Sequence, residues 1–170
     1  RDADAIMVSD FVVDHVRRSR AIIDGTLAET GKDRKAFKLN NFWAWHVKAD
    51  RKEAYRESRR ELAWRARKLD ADLIKLWLSP DEVQTVVTNF DKFVAAWFDR
   101  SGNIQGVSEE MCNRLCEGLT STGGIEDLDR EIERFRKFGK AGQTEIALRL
   151  HDNPMDALKI IGEKVVPALR

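Results

Sequence analysis

The chain has 170 residues, 42% of them hydrophobic and 35% charged, which is enough for one real core and short for two independent domains. Thirty Lys and Arg residues against 29 Asp and Glu leave a formal charge of +1, so no global field argues for nucleic acid or an anionic membrane. No apolar run approaches the roughly 20 residues of a membrane span and no signal-peptide pattern is present, so a cytoplasmic protein without a membrane partner is expected.

Ala5-Ile6-Met7-Val8 is a short continuous apolar run, as in a parallel strand covered on both faces, and Ser9 or Asp10 is placed to cap a helix. Val12, Val16, Ile23 and Leu27 then keep helical spacing until Gly31. Residues 37–47 form a second strand, rich in Phe and Trp. Alternation puts Phe37, Leu39, Asn41, Trp43 and Trp45 on one side and Lys38, Asn40, Phe42, Ala44 and His46 on the other, and the large side chains on both predict that both are covered. Asp50 with Glu53 makes an acidic capping box, after which Tyr55, Ser58, Leu62, Ala66 and Leu69 draw the inward stripe of a long helix.

A helical insertion over about residues 71–118 breaks this rhythm. Ser79-Pro80-Asp81-Glu82 starts a helix that Val83, Val86, Val87, Phe90, Val94 and Trp97 continue, and another opens at Ser108. Cys112 and Cys116, four apart on that helix with no nearby His, are core thiols in this reading, and no metal site is expected. Residues 119–124 are a Thr/Ser/Gly loop that lacks both the GxGxxG and the P-loop spacing. Ile125, Leu128, Ile132, Phe135 and Phe138 define an amphipathic helix ending at Gly139, residues 144–150 a third strand, and Asn153-Pro154 the cap and first position of a last helix.

Strands separated by helices give an α/β fold class: one unit over residues 1–170 with parallel strands near 4–9, 37–47 and 144–150 and helices outside. Three strands close nothing. A (β/α)8 TIM barrel needs eight strands and about 250 residues, so the pattern fits the carboxyl-terminal portion of one, and an open doubly wound sheet satisfies it as well.

Particular phrases of the sequence are similar to a known family. Ala3-Asp4-Ala5-Ile6-Met7-Val8-Ser9-Asp10, Asn40-Asn41-Phe42-Trp43-Ala44-Trp45-His46-Val47 with the Asp50-Arg51-Lys52-Glu53-Ala54 helix start, and the tail from Phe138 to Pro154 with Met155-Asp156-Ala157 resemble the luciferase-like flavin- and deazaflavin-dependent oxidoreductases, methylenetetrahydromethanopterin reductases among them. The resemblance implies strands six, seven and eight of a barrel. It implies a reductase or monooxygenase that moves a hydride to or from FMN or coenzyme F-420 at the carboxyl-terminal mouth. It also implies that the first five strands lie elsewhere and that this stretch alone carries part of a site and is inactive; a first residue Arg1 in place of Met accords with a piece of something longer.

Strand ends in such barrels are where function concentrates, which selects five residues. Arg149 and His151 share one side of the last strand: Arg149 to hold an anionic group of cofactor or substrate, His151 as the catalytic candidate for hydrogen bonding to a carbonyl or for proton transfer. The bland alternatives are an Arg paired with a helix carboxylate and a His capping a turn. Ser9 reaches the mouth or merely caps, Asn41 or its neighbour Asn40 lines a polar barrel interior, and His46 closes the second strand. The basic helix with Arg51, Lys52, Arg56, Arg59, Arg60, Arg65, Arg67 and Lys68 is interleaved with Glu53, Glu57 and Glu61, the pattern of a solvated face, so no nucleic-acid partner is expected. A small-molecule substrate and a homo-oligomer are. The rival reading is a non-catalytic partial barrel that dimerises through its open edges.

Overall fold

The computed structural model describes residues 3–63 and 71–170. Strand β1 (Ala5–Ser9) leads into helix α1 (Val13–Thr30), which stops where Gly31 takes the left-handed conformation at φ 70°. Strand β2 (Lys38–Val47) is followed by α2 (Arg51–Glu61), then by α3 (Ala71–Ile74), α4 (Pro80–Thr88), α5 (Phe90–Phe98) and α6 (Glu109–Leu119). Strand β3 (Ser121–Gly123), helix α7 (Leu128–Lys140), strand β4 (Glu145–Arg149) and α8 (Pro154–Ile160) follow, and the chain continues through a π-helical turn (Ile161–Val165) into α9 (Val166–Leu169).

All strand pairings among the described residues are parallel, and all run through β2. Ala5–Ser9 lie opposite Lys38–Phe42, Glu145–Arg149 opposite Asn40–Ala44, and Ser121–Gly123 opposite Trp45–Val47. The three expected strands are therefore present and parallel. The Thr/Ser/Gly loop is corrected to β3, because its fully buried hydroxyls find partners that a loop reading leaves out: Ser121 Oγ accepts from the Trp43 indole at 3.0 Å, and Thr122 Oγ1 donates to Ser58 Oγ at 2.8 Å.

The odd-numbered side of β2 is the inside of a core. Leu39, Trp43, Trp45 and Val47 pack there with Ile132, Phe135 and Phe138 of α7 and Val16 of α1. A second core, built by Leu62, Ile74, Phe93, Leu115 and Leu119, holds the helical insertion together, and both cysteines lie in it, buried and free. Burial pushes the Cys112 thiol up to about 12, so it stays protonated and packs as a small apolar group. The even-numbered side of β2 is covered only at Ala44 and His46: Lys38 is exposed, and Asn40 and Phe42 are half-buried. Covering on both sides thus holds for the second half of the strand and fails for the first.

Local signals worked where they concerned backbone groups at helix starts. Asp50 accepts from the Lys52 and Glu53 N–H groups at 2.9 and 3.2 Å, and Ser108 accepts from Met111 N–H at 3.2 Å. Asp50→Ala is expected to cost about 1 kcal/mol of unfolding free energy, read from urea melts, because two amides at the start of α2 lose their acceptor.

Three boundaries differ from expectation. Neither Ser9 nor Asp10 caps α1, whose N-cap is Val12; Asp10 sits instead at φ 55° and donates its N–H to Phe42 O at 2.9 Å, extending the β1–β2 ladder. The run from Ser79 to Trp97 breaks at Asn89, whose side-chain amide donates to Thr85 O at 2.9 Å and competes with the helical ladder. Helix α7 runs past Gly139 to Lys140. The start of the last helix is as expected, with Asn153 at the cap position of α8 and Pro154 first in it, although Asn153 is left-handed at φ 56° and makes no side-chain cap bond. Of the stripe drawn along the helix after Asp50, Ala66 and Leu69 lie outside the described residues.

Candidate functional site

Because β1, β2 and β4 are parallel, their carboxyl ends lie at one end of the sheet, and the polar residues at and beyond them form two groups there. At the centre of the first, His46 and His151 stack, ring centroids 4.5 Å apart and planes 19° from parallel. His46 is fully buried, whereas His151 lines a cavity of about 530 Å³. The cavity has an apolar floor of Trp45, Val47 and Ile160 and a polar rim that includes Lys48, Glu57 and Asp152.

Glu57, on α2, organises this end. Its side chain is 1% exposed, and its carboxylate receives Lys48 Nζ at 2.6 Å and the Asp152 N–H at 3.0 Å on one oxygen, with His46 Nδ1 at 2.8 Å from the other. Lys48 Nζ also donates to Asp152 O at 2.8 Å, so one carboxylate and one ammonium tie the end of β2 to the turn after β4. Arg60, 3% exposed, donates to Asp152 Oδ2 at 2.9 Å and to Glu61 Oε1 at 3.0 Å, and His151 Nδ1 lies 3.8 Å from that Glu61 oxygen. Burial raises the Glu57 pKa above its ordinary value while Lys48 and the Asp152 N–H pull it back; the hydrogen bond from Arg60 holds Asp152 below its own.

The second group is built by β1 and β4. Ser9 Oγ donates to Asp10 Oδ2 at 3.1 Å, and Asp10 Oδ1 lies 3.7 Å from Arg149 Nη2. The Arg149 guanidinium stands over the Phe42 ring, 5.2 Å from its centroid. Its Nε and Nη2 are shielded from solvent and donate no hydrogen bond among the described residues. A guanidinium so placed can take a planar, bidentate anion such as a carboxylate or phosphate.

Ser9, His46, Arg149 and His151 thus occupy one end of the sheet. Asn41 does not join them: it is fully buried on the α7 side of β2, and its amide accepts Phe11 N–H at 3.2 Å and donates to Phe11 O at 2.9 Å, fastening the β1–α1 connection. Asn40 is the one on the even-numbered side, donating to Glu145 Oε2 at 3.4 Å. Reading for strand ends reaches Asp152, in the corner after the last strand beside Arg149 and His151, but misses its partners Lys48, Glu57 and Arg60. Glu57 follows the buried Ala54 by three residues and therefore shares its inward side, a spacing that assigns it to the interior despite its charge.

The arginines of α2 pair within the chain, while Lys52 is exposed. Arg56 meets Glu53 through two contacts of 2.7 Å, and Arg59 donates to Asn113 Oδ1 at 2.8 Å; Arg65, Arg67 and Lys68 lie outside the described residues. Glu53, Glu57 and Asp152 bring carboxylate oxygens within 4.8 Å of one another, but Arg56, Lys48 and Arg60 already neutralise them. No helix among the described residues is long and apolar enough to cross a membrane.

Parallel strands joined through helices, with polar residues gathered at the strand carboxyl ends, define an α/β protein of the β/α class. The particular fold is shared with the coenzyme F-420 dependent tetrahydromethanopterin reductase from Methanopyrus kandleri: TM-score 0.72 and 15% sequence identity, over 99% of this chain and 46% of that one. The chain spans less than half the length of that reductase. No protein-family model matches the sequence, and no curated protein matches it.

Proposed function

We propose that this chain forms the carboxyl-terminal part of a luciferase-like (β/α)8 barrel and contributes one wall of a site for coenzyme F-420, in an oxidoreductase that transfers a hydride to or from a small-molecule substrate. The observation that carries this reading is Arg149: a guanidinium at the end of β4, with Nε and Nη2 shielded from water and making no hydrogen bond among the described residues, its ion pair with Asp10 being long at 3.7 Å. Such a group retains donors for a second, hydrogen-bonded anion, and coenzyme F-420 and FMN both carry one. The fold shared with an F-420 dependent reductase favours the deazaflavin over FMN. Bound there, the cofactor would supply the carbon centre that gives or accepts a hydride. The residues of this chain would bind and orient it: Arg149 through its guanidinium, Phe42 and Ser9 beside it, and His151 at the cavity wall as the group within reach of a proton.

The test is a fluorescence titration of coenzyme F-420 with the longest expressed form of the polypeptide. Arg149→Ala is expected to weaken binding by about 1.5–3 kcal/mol, roughly 10- to 150-fold, the scale of a hydrogen bond to a charged group. His151→Ala is expected to lower turnover at least as much as affinity. Unchanged binding and turnover in both variants would confine these residues to packing.

A second reading, a non-catalytic module that assembles with a copy of itself, is favoured by the edge strand β1, where Ile6 is 43% and Met7 63% exposed. Trp43 and Trp45 are already covered within the chain, so the interface in this reading is the β1 edge and not the aromatic side of β2. A colourless dimer that ignores added F-420 supports it; a monodisperse 19.5 kDa species in light scattering at low micromolar concentration sinks it.

A further inference from the structure

We propose that Glu57 is a positioning residue of this site: its carboxylate fixes the tautomer of His46, and through the stacked imidazoles it sets the ring of His151 against the cavity. The functional weight of this inference rests on the reading just given, whereas its geometry stands apart from it. Glu57 Oε2 receives two donors, Lys48 Nζ at 2.6 Å and the Asp152 N–H at 3.0 Å. The Lys48 ammonium at 2.6 Å forms an ion pair with this oxygen and, with the Asp152 N–H, favours the ionised group, so Glu57 is a carboxylate here and Oε1 accepts. Oε1 lies 2.8 Å from His46 Nδ1, which must therefore hold the proton.

His46 is fully buried and does not line the cavity; His151, stacked on it at 4.5 Å, does. A ring fixed at one nitrogen by a buried carboxylate cannot flip, and it presents a constant surface to the ring lying on it. Glu57 also acts on His151 from the other direction, since it accepts the N–H of Asp152, the very next residue. Two routes from one carboxylate therefore converge on the imidazole that faces the cavity.

The isosteric Glu57→Gln variant makes the proposal testable in a manner that a packing role does not. Its carbonyl oxygen must face the two donors, Lys48 and the Asp152 N–H, because an amide NH2 there would oppose both. The NH2 is then left facing His46 Nδ1, which has to become an acceptor. The expected result is a switch of His46 from the Nδ1–H to the Nε2–H form. It is read by nitrogen-15 NMR of the imidazole side chains, a sparse spectrum because the chain has 3 His residues. Lys48→Arg keeps a cation on Oε2 and leaves Oε1 in place, so it is expected to keep the Nδ1 proton.

Wild-type His46 protonated at Nε2 alone would overturn the proposal without any variant, as would Glu57→Gln that retains Nδ1–H. Should Glu57→Gln fail to fold, the wild-type and Lys48→Arg spectra decide: Nδ1–H in both supports the proposal, and its loss in either refutes it. Adding coenzyme F-420 to the same labelled sample separates the two claims. The tautomer is settled in the ligand-free chain, while a spectrum indifferent to F-420 counts only against the proposed cofactor.

Discussion

Trp43→Ala is expected to destabilise the fold by about 3–5 kcal/mol, the largest effect of any single truncation in the sheet core. The side chain is 1% exposed and sits where three elements meet. Its ring meets Phe138 of α7 edge to face at 5.2 Å, the Arg134 guanidinium lies 5.5 Å from its centroid, and its indole N–H donates to Ser121 Oγ of β3 at 3.0 Å. Arg134 is held in turn by the Thr120 and Glu117 carbonyls, so truncation unseats a guanidinium as well as opening a void. Against a typical domain stability of about 5–15 kcal/mol this removes a third or more. Trp43→Phe keeps most of the apolar volume but leaves Ser121 without its donor, and about 1–3 kcal/mol is expected. The measurement is equilibrium urea unfolding followed by circular dichroism. A loss below about 1 kcal/mol for Trp43→Ala would mean that β2 does not pack against α7 as described.

Glu57→Ala is expected to cost about as much, roughly 3–5 kcal/mol, for an electrostatic reason. Removing the carboxylate strands Lys48, which is only 18% exposed, together with the Asp152 N–H and His46 Nδ1. Glu57→Gln is expected to lose less, since its oxygen still accepts from two of the three. The pH dependence of this cluster has two opposite parts. The Asp152 pKa is lowered from its ordinary 3.8, chiefly by the hydrogen bond from Arg60; its contribution to stability is therefore present above 3.8 and disappears as pH falls through the folded value. The Glu57 pKa is raised from 4.5 by burial, so its contribution is full below 4.5 and declines as pH rises through the folded value. Urea midpoints between about pH 2 and about pH 6 should accordingly show the wild-type advantage over Asp152→Asn shrinking on the acid side. The advantage over Glu57→Gln should shrink toward neutral pH. Parallel curves for all three proteins would detach both carboxylates from folding.

The sequence by itself determined what periodicity and caps can carry. The apolar run Ala5-Ile6-Met7-Val8, the alternation along residues 37–47 and the Asp50, Ser79 and Ser108 helix starts each report a preference settled within a few residues, and each recurs as an element in the structure. The expected covering of the first run on both faces fails, however, because β1 is an edge strand with Ala5, Ile6 and Met7 exposed. Parallel pairing followed too, because strands separated by helices have few other ways to share a sheet. The gathering of Ser9, His46, Arg149 and His151 at one end is a consequence of that topology and needed no distance.

Tertiary structure alone decided the rest. Ser121 to Gly123 is too short to show alternation and becomes a strand only because β2 extends far enough to pair with it. Asn40 and Asn41 are adjacent and chemically identical, and only the position of α7 and of the β1–α1 connection tells which faces the core. Glu57 looked like one member of a charged surface helix because i,i+4 pairing with lysines and arginines has the same pattern whether the helix side is wet or dry. Its role came from Lys48, His46 and Asp152, which lie 9, 11 and 95 residues away along the chain and reach one carboxylate only after the sheet has assembled. A local pattern can specify an element, but the dielectric around a charge depends on which distant elements close over it, and so does what that charge can do.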